Sequence, residues 1–279
     1  MDRASRFLVW CLAIIVIVIG VVWFHGSTNS KASATVSSLF NSSSNNLNSA
    51  SLTSNIQAIL NKNTDLDTSV SITDLQSGKQ YHWGETASYE AASIGKLVTA
   101  TTYLHEVEQG NAGLDDDIDG STARQQLTQL ITVSDNTAWQ DLDDNIGGDT
   151  MNAYAQSIGM TTYTQDNNIM SSDDIALLLS KLYGQKLLNA SDTNFLLSLM
   201  KQANMREYIV AAIPGDVDVY HKVGYLDDRL HDAAIIKKGD RSYVLVIFSK
   251  TEDDSTYDFD RGASIFGDIT KASLQAFFP

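Results

Sequence analysis

Residues 130–138 read Leu-Ile-Thr-Val-Ser-Asp-Asn-Thr-Ala, and this stretch separates two helix patterns. Ser134-Asp135-Asn136 is good N-cap and turn material on its own. At average residue usage, such a tripeptide occurs by chance in only about a few per cent of chains of this length. A Ser-x-x-Lys lies upstream and a Lys-x-Gly downstream. The stretch is therefore the centre of a three-part pattern.

The upstream part is Ser93-Ile94-Gly95-Lys96, at the start of a helical stripe that runs to about Gln109. Residues three apart share one helix face, with Cβ atoms about 5–6 Å apart. A lysine amine there can take the proton of a serine hydroxyl if burial or nearby positive charge lowers its pKa. We predict Ser93 as nucleophile and Lys96 as its base. Without the other motifs, Ser93 would be interpreted as a helix cap followed by a solvated lysine.

The downstream part is Lys222-Val223-Gly224, followed by Tyr225, at the end of a predicted strand. Lys222 would supply positive charge for a substrate carboxylate. Gly224 would let a substrate approach the strand edge closely. The backbone N–H groups of Tyr225 and Ser93 would form an oxyanion hole.

The central stretch supplies the remaining predicted site residues. Ser134 would relay a proton to a leaving nitrogen. Asn136 would hydrogen-bond both the substrate amide and Lys96, while Asp135 holds the turn.

Each flanking motif has a second match in the chain. Ser198-Leu199-Met200-Lys201 lies inside a predicted helix rather than at its start, which indicates a surface pair. Lys237-Lys238-Gly239 forms the exposed turn of a predicted hairpin. Position in the secondary structure therefore favours Ser93 and Lys222.

Hydrophobic periodicity predicts one domain over residues 52–279. Alternating or continuous apolar runs predict strands at 68–74, 80–83, 217–222, 231–237 and 243–249. Helical patterns predict a helix near Ile56 at the start of the domain and another at 263–277 at its end. The pattern predicts helix throughout residues 93–204. We predict an α+β fold with an antiparallel sheet of about five strands flanked by the terminal helices, plus an all-helical lobe. The site would lie in the cleft between the two parts.

Composition excludes several functions. The 279 residues carry a net charge of −15, which argues against nucleic acid as a partner, because phosphate binding needs clustered Lys and Arg. Cys11 is the single cysteine, so an intrachain disulfide or a cysteine-ligated metal framework is impossible. We expect neither a cofactor nor a metal.

The N-terminal residues predict a membrane segment. Residues 7–24 are uncharged and long enough for most of a bilayer core, and Arg3 and Arg6 precede them. We predict a membrane anchor in residues 1–25, with the C-terminal domain extracellular. The alternative is a signal peptide cleaved near Ala32-Ser33-Ala34, which would give a secreted protein. Residues 26–51 are rich in Ser and Asn and predict a disordered linker.

In order, spacing and context, the three motifs resemble those of the class A β-lactamase-related serine hydrolases, within the β-lactamase and penicillin-binding protein superfamily. The resemblance extends over nearly all of residues 52–279, including 131–138 and 221–232. It implies a two-lobed β-lactamase/transpeptidase-like fold and an acyl-enzyme mechanism. It also implies a β-lactam or a D-alanyl peptide of peptidoglycan as substrate.

The chain departs from that family in two places. Class A enzymes carry a Glu-x-x-Leu-Asn loop whose glutamate activates the deacylating water, whereas Asp166 is the single carboxylate in residues 160–171. Asp166 could substitute for that glutamate, but its neighbours favour a turn. Val223 stands where the family usually has Thr or Ser, and a hydrogen bond to a charged group is typically worth about 1.5–3 kcal/mol. Arg229 or His231 could compensate, although an ion pair with neighbouring aspartates is the alternative for Arg229.

These observations predict an extracellular, membrane-tethered serine hydrolase with slow β-lactam hydrolysis. One alternative is a D-alanyl-D-alanine carboxypeptidase or penicillin-binding protein acting on peptidoglycan. Another is a non-catalytic module that binds the cell wall, which the missing glutamate and Val223 motivate. The intact set of proton-transfer residues speaks against that last hypothesis.

Overall fold

The computed structural model of this chain describes residues 49–279, with a five-stranded antiparallel sheet at the centre. The strands in this range are β1 (Leu66–Asp74), β2 (Gln80–Gly84), β3 (Tyr89–Glu90), β4 (Asp117–Ile118), β5 (Ser121–Thr122), β6 (Ile169–Met170), β7 (Asp218–Leu226), β8 (Arg229–Lys238) and β9 (Arg241–Thr251). The α-helices in it are α1 (Ser49–Leu60), α2 (Lys96–Gln109), α3 (Ala123–Thr132), α4 (Asn136–Ile146), α5 (Gly148–Ser157), α6 (Ser172–Tyr183), α7 (Ala190–Lys201) and α8 (Phe259–Phe277). The large sheet has the order β2-β1-β9-β8-β7.

The middle strand, β9, is covered on both faces. Its side chains alternate between two apolar clusters, because successive residues of a strand point to opposite faces. Val244, Val246 and Phe248 pack under the helical lobe. Leu245 and Ile247 pack under the two terminal helices. The sheet therefore separates two cores, and its order confirms the predicted antiparallel arrangement.

Helices α1 and α8 close one face of the sheet. Leu52 and Ile56, one helical turn apart, are fully buried on α1. On α8, Phe277 stacks on the ring of Tyr243 with centroids 4.2 Å apart. Burying a side chain of this size contributes about 1.5–3 kcal/mol. Leu52, Ile56 and Phe277 belong to the same apolar cluster, which brings the two ends of the domain together.

Helix α2 is the centre of the helical lobe. It is buried around its first nine residues, so apolar side chains such as Leu97 and Tyr103 contact neighbours on several sides. The hydroxyls of Thr101 and Thr102 donate to carbonyls one turn earlier, which satisfies their polar atoms inside the core. Gly110 ends the helix in the left-handed conformation.

The lobe is less uniformly helical than the sequence predicted. Two short ladders, β3 with β6 and β4 with β5, interrupt it. The prediction of helix throughout 93–204 was therefore wrong at 110–122 and 158–170, and also in the turn at 184–189. Turn residues explain the second exception, because Asn168 adopts φ +48°, a left-handed conformation that helices do not contain.

Strand β7 also extends further than predicted. It continues through Lys222-Val223-Gly224 to Leu226, which pairs with Arg229 across the two-residue turn of Asp227 and Asp228. The downstream motif therefore lies within an edge strand rather than at its end.

Helix α1 begins at Ser49, inside the range 26–51 that the sequence assigned to the linker. The predicted membrane anchor in residues 1–25 and most of that linker lie outside the described residues. Within residues 49–279, no helix combines the length and apolar character needed to cross a bilayer.

Candidate active site

Three separate segments of the chain meet where the helical lobe adjoins the edge of the sheet. A short 3₁₀ turn, Ala92–Ile94, carries Ser93 and leads directly into α2. The turn between α3 and α4 carries Ser134, and edge strand β7 carries Lys222. The structure therefore brings the three predicted motifs together.

Ser93 is half-buried and lines a cavity of about 1210 Å³. The preceding residue, Ala92, adopts φ +48°, which is strained for a residue with a Cβ. Such strain is common at functional sites. The sequence expectation of Ser93 at a helix start is confirmed, with a 3₁₀ turn in place of the first α-helical turn.

Gly224 packs against the backbone of the Ser93 turn. A Cβ at position 224 would lie 2.8 Å from the Ser93 nitrogen and 2.9 Å from the Ala91 oxygen. Both distances are shorter than real Cβ contacts, and backbone atoms cannot easily give way. Glycine is therefore required for β7 to approach the turn that carries Ser93.

The Lys96 amine is the best-connected group of the site. Its Nζ donates to Ser134 O at 2.6 Å, to Ser134 Oγ at 3.1 Å and to Asn136 Oδ1 at 2.7 Å. The side chain is completely buried. Burial lowers the pKa of Lys96 to about 8, with the charge of Asp135 acting in the opposite direction. A lysine with this pKa can act as a base near neutral pH.

Ser134 owes its position to the turn that contains it. It adopts φ +62°, and the following Asp135 caps α4 by accepting from Ala138 N at 2.8 Å. The cap fixes the start of α4, where Asn136 is the first residue. Local chemistry therefore places Ser134 and Asn136 side by side, as the sequence predicted.

Lys222 reaches Ser134 from the other side. Its Nζ donates to Ser134 Oγ at 2.9 Å and to Val223 O at 2.9 Å. Burial, followed by repulsion from Lys96, lowers the pKa of Lys222 to about 7, while Asp232 acts in the opposite direction. One serine hydroxyl thus lies between two amines with lowered pKa values.

Tyr225 occupies the open edge of β7. Leu226 pairs with Arg229 across a two-residue turn, and antiparallel pairs alternate between hydrogen-bonded and non-hydrogen-bonded positions. Tyr225, opposite Leu230, therefore directs its N–H away from β8, and its neighbour Gly224 contacts the Ser93 turn. The predicted pair of N–H donors from Tyr225 and Ser93 is compatible with this geometry.

The two family departures have structural consequences. Asp166 is exposed and lines the part of the cavity beside Gly148, where it fits the turn role predicted for it. Val223 is buried in the core under the terminal helices.

Neither side chain suggested as compensation for Val223 is free to bind substrate. Arg229 donates twice to Asp228, at 2.7 and 2.5 Å, and lies 3.5 Å from Glu90. His231 is fully buried and donates from Nε2 to Glu90 O at 3.1 Å, and burial lowers its pKa to about 4. The ion-pair alternative for Arg229 is the correct one.

Two residues at the site were missed by sequence reasoning. The ring of Trp139 lies 5.0 Å from Lys96 Nζ. Asn168 donates from Nδ2 to Ala92 O at 2.8 Å, and its backbone carbonyl accepts from Ala91 N at 2.8 Å, so it supports the turn that carries Ser93. Trp139 lies three residues after Asn136, a helical spacing that could have indicated a shared face.

No group of three or more His, Cys, Asp or Glu side chains in residues 49–279 is arranged to hold a metal ion. The site's chemistry is built from amines, hydroxyls and amides.

Solved structures of similar fold include the following three. PBP-A, solved as a mutant in an acyl-enzyme complex with penicillin G, is 21% identical with a TM-score of 0.75, and the match covers 81% of this chain and 96% of PBP-A. A β-lactamase of Sphaerobacter thermophilus is 21% identical with a TM-score of 0.73, covering 81% and 96% of the two chains. An ancestral (GNCA) class A β-lactamase is 20% identical with a TM-score of 0.73, covering 79% and 98%. These similarities establish the β-lactamase-like fold.

None of the curated proteins compared matches this chain in sequence. A protein-family model described as the beta-lactamase enzyme family matches residues 51–277, nearly the whole of the described fold. This chain therefore belongs to the beta-lactamase enzyme family.

Proposed function

We propose that this chain is a serine hydrolase of the class A β-lactamase type that forms an acyl-enzyme on Ser93. The observation that carries the proposal is the hydrogen-bonded chain from Lys96 through Ser134 to Lys222. Burying ammonium groups without a carboxylate partner is unfavourable. A binding module has no need for that arrangement, whereas proton transfer depends on it.

Acylation begins with the neutral form of Lys96. Its Nζ takes the proton of Ser93 Oγ as that oxygen bonds to the carbonyl carbon of the substrate amide. The oxyanion that forms accepts hydrogen bonds from the N–H groups of Ser93 and Tyr225. Asn136 Oδ1, 2.7 Å from Lys96 Nζ, keeps the amine oriented.

The second half of acylation breaks the amide C–N bond. The leaving nitrogen takes a proton from Ser134 Oγ, and Ser134 recovers one from the Lys96 ammonium across their 3.1 Å hydrogen bond. The proton removed from Ser93 thus ends on the leaving group. Lys222 supplies positive charge for a substrate carboxylate, as in the sequence prediction.

The substrate class we propose is a β-lactam or a D-alanyl peptide. The PBP-A relative captured with penicillin G supports β-lactam binding. Among the described residues, no carboxylate hydrogen-bonds Lys96, Ser134 or Lys222, which supports slow deacylation by water. That same observation favours a second candidate, a D-alanyl-D-alanine carboxypeptidase or penicillin-binding protein acting on peptidoglycan.

We further propose that the domain is extracellular and tethered by the uncharged segment at residues 7–24. The support is the sequence, with Arg3 and Arg6 before that segment. Mass measurement of the mature protein extracted from membranes tests the tether. Loss of about thirty residues would indicate a cleaved signal peptide and a secreted protein.

Intact-mass spectrometry tests the proposed chemistry. The full chain in mild detergent is mixed with a penicillin and sampled over time, with Ser93→Ala as the control. We expect a Ser93-dependent adduct. Fast decay of this adduct would indicate a hydrolase, and slow decay would indicate a penicillin-binding protein. Absence of an adduct with both penicillin and an activated D-alanyl ester would favour the non-catalytic binding module.

A further inference from the structure

The indole of Trp139 covers the Lys96 amine, with Nζ 5.0 Å from the ring centroid. Trp139 is half-buried on α4 and lines the cavity that contains Ser93. Asn136, one turn earlier on α4, hydrogen-bonds the same amine at 2.7 Å. One helix therefore holds Lys96 at two points, a carbonyl oxygen and a ring face.

A chain of hydrogen bonds holds the indole. Trp139 Nε1 donates to Thr99 Oγ1 at 2.9 Å, and Thr99 Oγ1 donates to Asp143 Oδ1 at 2.8 Å. Gln165 Nε2 donates to the other carboxylate oxygen of Asp143 at 3.3 Å. Thr99 is three residues after Lys96 on α2, so this relay ties the ring to the helix that carries the amine.

Close packing at Gly95 fixes the ring from a second direction. A Cβ at position 95 would lie 3.2 Å from Trp139 Cζ2 and 2.1 Å from Asn168 Oδ1. The indole therefore rests against the turn that joins Ser93 to Lys96, where a larger residue would collide with Asn168 and press on the ring. This gives a reason for glycine within Ser93-Ile94-Gly95-Lys96.

We propose that Trp139 is a positioning residue for acyl transfer. Its ring holds the Lys96 amine toward Ser134 and Asn136, and the Thr99–Asp143 relay holds the ring. The inference rests on the proposed function, because it concerns the base of that reaction.

The proposal and a purely space-filling role of Trp139 predict opposite changes in the pKa of Lys96 when the ring is removed. A ring face attracts an ammonium more than a neutral amine, so Trp139 favours the charged form of Lys96. The ring therefore opposes the lowering of the Lys96 pKa that burial causes. Lys222 on β7 and Asp135 at the start of α4 are the charged groups that act on this amine, and Asp143 on α4 contacts Thr99, three residues after Lys96. Removing the ring should therefore lower the pKa of Lys96. A residue that only excludes water would have the opposite effect, because its loss would hydrate the amine.

The test is the acylation rate of the full chain with a penicillin between about pH 5.5 and 9.5, followed by intact mass. The variants are Trp139→Leu, Trp139→Phe and Thr99→Val. Trp83→Leu is the matched control, because Trp83 is buried in the other core. Loss of the cation–π contact in Trp139→Leu should shift the acidic limb of the profile of acylation rate against pH down by about 0.4–1.5 pH units. We also expect the plateau rate of this variant to fall about 10- to 100-fold.

Trp139→Phe keeps a ring face and should keep the limb in place, and Trp83→Leu should change stability without moving the limb. The proposal is overturned if the limb of Trp139→Leu stays in place or moves to higher pH. If Trp139→Leu does not fold, the test uses Thr99→Val, which removes the hydrogen-bond relay at nearly constant side-chain shape. An unchanged plateau acylation rate in Thr99→Val would then overturn the proposal. If the unaltered chain forms no adduct, the proposed function fails and this inference falls with it, whereas an adduct with an unaffected Trp139→Leu overturns the inference alone.

Discussion

Two polar clusters lie at opposite ends of the central sheet, and they differ in charge. The cluster beside β7, which we propose is the catalytic cluster, joins Lys96 and Lys222 through Ser134, so its two titratable groups carry the same charge. The cluster beside β1 and β2 joins His82 to Asp173, so its groups carry opposite charges. In each cluster, a serine hydroxyl lies between two titratable side chains from segments that meet in the folded chain.

The second cluster is a set of satisfied hydrogen bonds. His82 Nδ1 lies 3.1 Å from Asp173 Oδ1, and Ser71 Oγ donates to the same oxygen at 2.5 Å. Ser172 links Ser71 and Ser69 at 2.6 and 2.7 Å. The hydrogen bond between His82 and Asp173 raises the pKa of His82 and lowers the pKa of Asp173, so folding favours both charged forms.

The difference shows how one fold uses polar burial in two ways. In the His82–Asp173 cluster, the charges attract and contribute to stability. In the catalytic cluster, burial disfavours both ammonium groups and lowers the pKa values of Lys96 and Lys222 to about 8 and about 7. The reactivity that we propose for this cluster would be obtained at the expense of stability, as is common for functional sites.

Replacing Lys96 breaks the catalytic cluster with the largest expected effect. Lys96→Met removes the base, and we expect the acylation rate to fall about 10³-fold. Stability should rise by about 0.5–2 kcal/mol at pH 7, because a buried ammonium without a carboxylate partner is lost. The folded-state pKa lies below the unfolded value, so this gain should be complete below about pH 8 and vanish toward pH 10.5.

Acylation followed by intact mass, together with urea unfolding at pH 7 and pH 10, checks this prediction. Lys186→Met is the control, since Lys186 is exposed. A variant that is less stable than the unaltered chain at pH 7 would contradict the view that the catalytic cluster destabilises the fold.

Replacing Gly224 sharpens the comparison by moving the catalytic cluster without changing its charge. The added methyl of Gly224→Ala would collide with the backbone of Ser93, and we expect acylation to fall about 10²-fold. Gly267→Ala on α8 is the matched control, because its Cβ would meet nothing within 4 Å. That control should keep full activity and gain up to about 1 kcal/mol from helix propensity. Equal acylation by the two variants would show that the approach of β7 to Ser93 is unimportant.

Replacing Asp173 tests the stabilising cluster and has the smallest expected effect. Asp173 is 60% exposed, so screening limits the loss in Asp173→Asn to at most about 1 kcal/mol. The raised pKa of His82 stabilises below about pH 6.5 and the lowered pKa of Asp173 stabilises above about pH 3.8, so the pair acts between those values. We expect the difference in unfolding free energy to be larger near pH 5 than at pH 8, because the contribution declines as the pH rises through the raised pKa of His82. A loss that is the same at both pH values would show that hydrogen bonding, rather than charge, holds the cluster together.

Much of the fold followed from residue patterns. The five strands of the large sheet were predicted from alternating or continuous apolar runs, and each lies within a few residues of its predicted position. Helix α8 starts four residues earlier than predicted because Asp258 caps it by accepting from Arg261 N. The irregular backbone at 158–170 was not predicted, since it depends on turns stabilised by contacts with α6 and with the turn that carries Ser93.

The sequence by itself determined which chemical groups are present and how each local segment is shaped. Asp135 caps α4, Ser93 precedes α2, and Gly224 allows close approach, because these properties depend on a few neighbouring residues. Tertiary structure alone decided the rest. Lys96 and Lys222 meet at Ser134 across 38 and 88 residues of chain, and packing from both lobes removes water from them. A pKa depends on the solvent and charges that surround a group in space, so reactivity and the contact of Trp139 with Lys96 arise only in the folded chain.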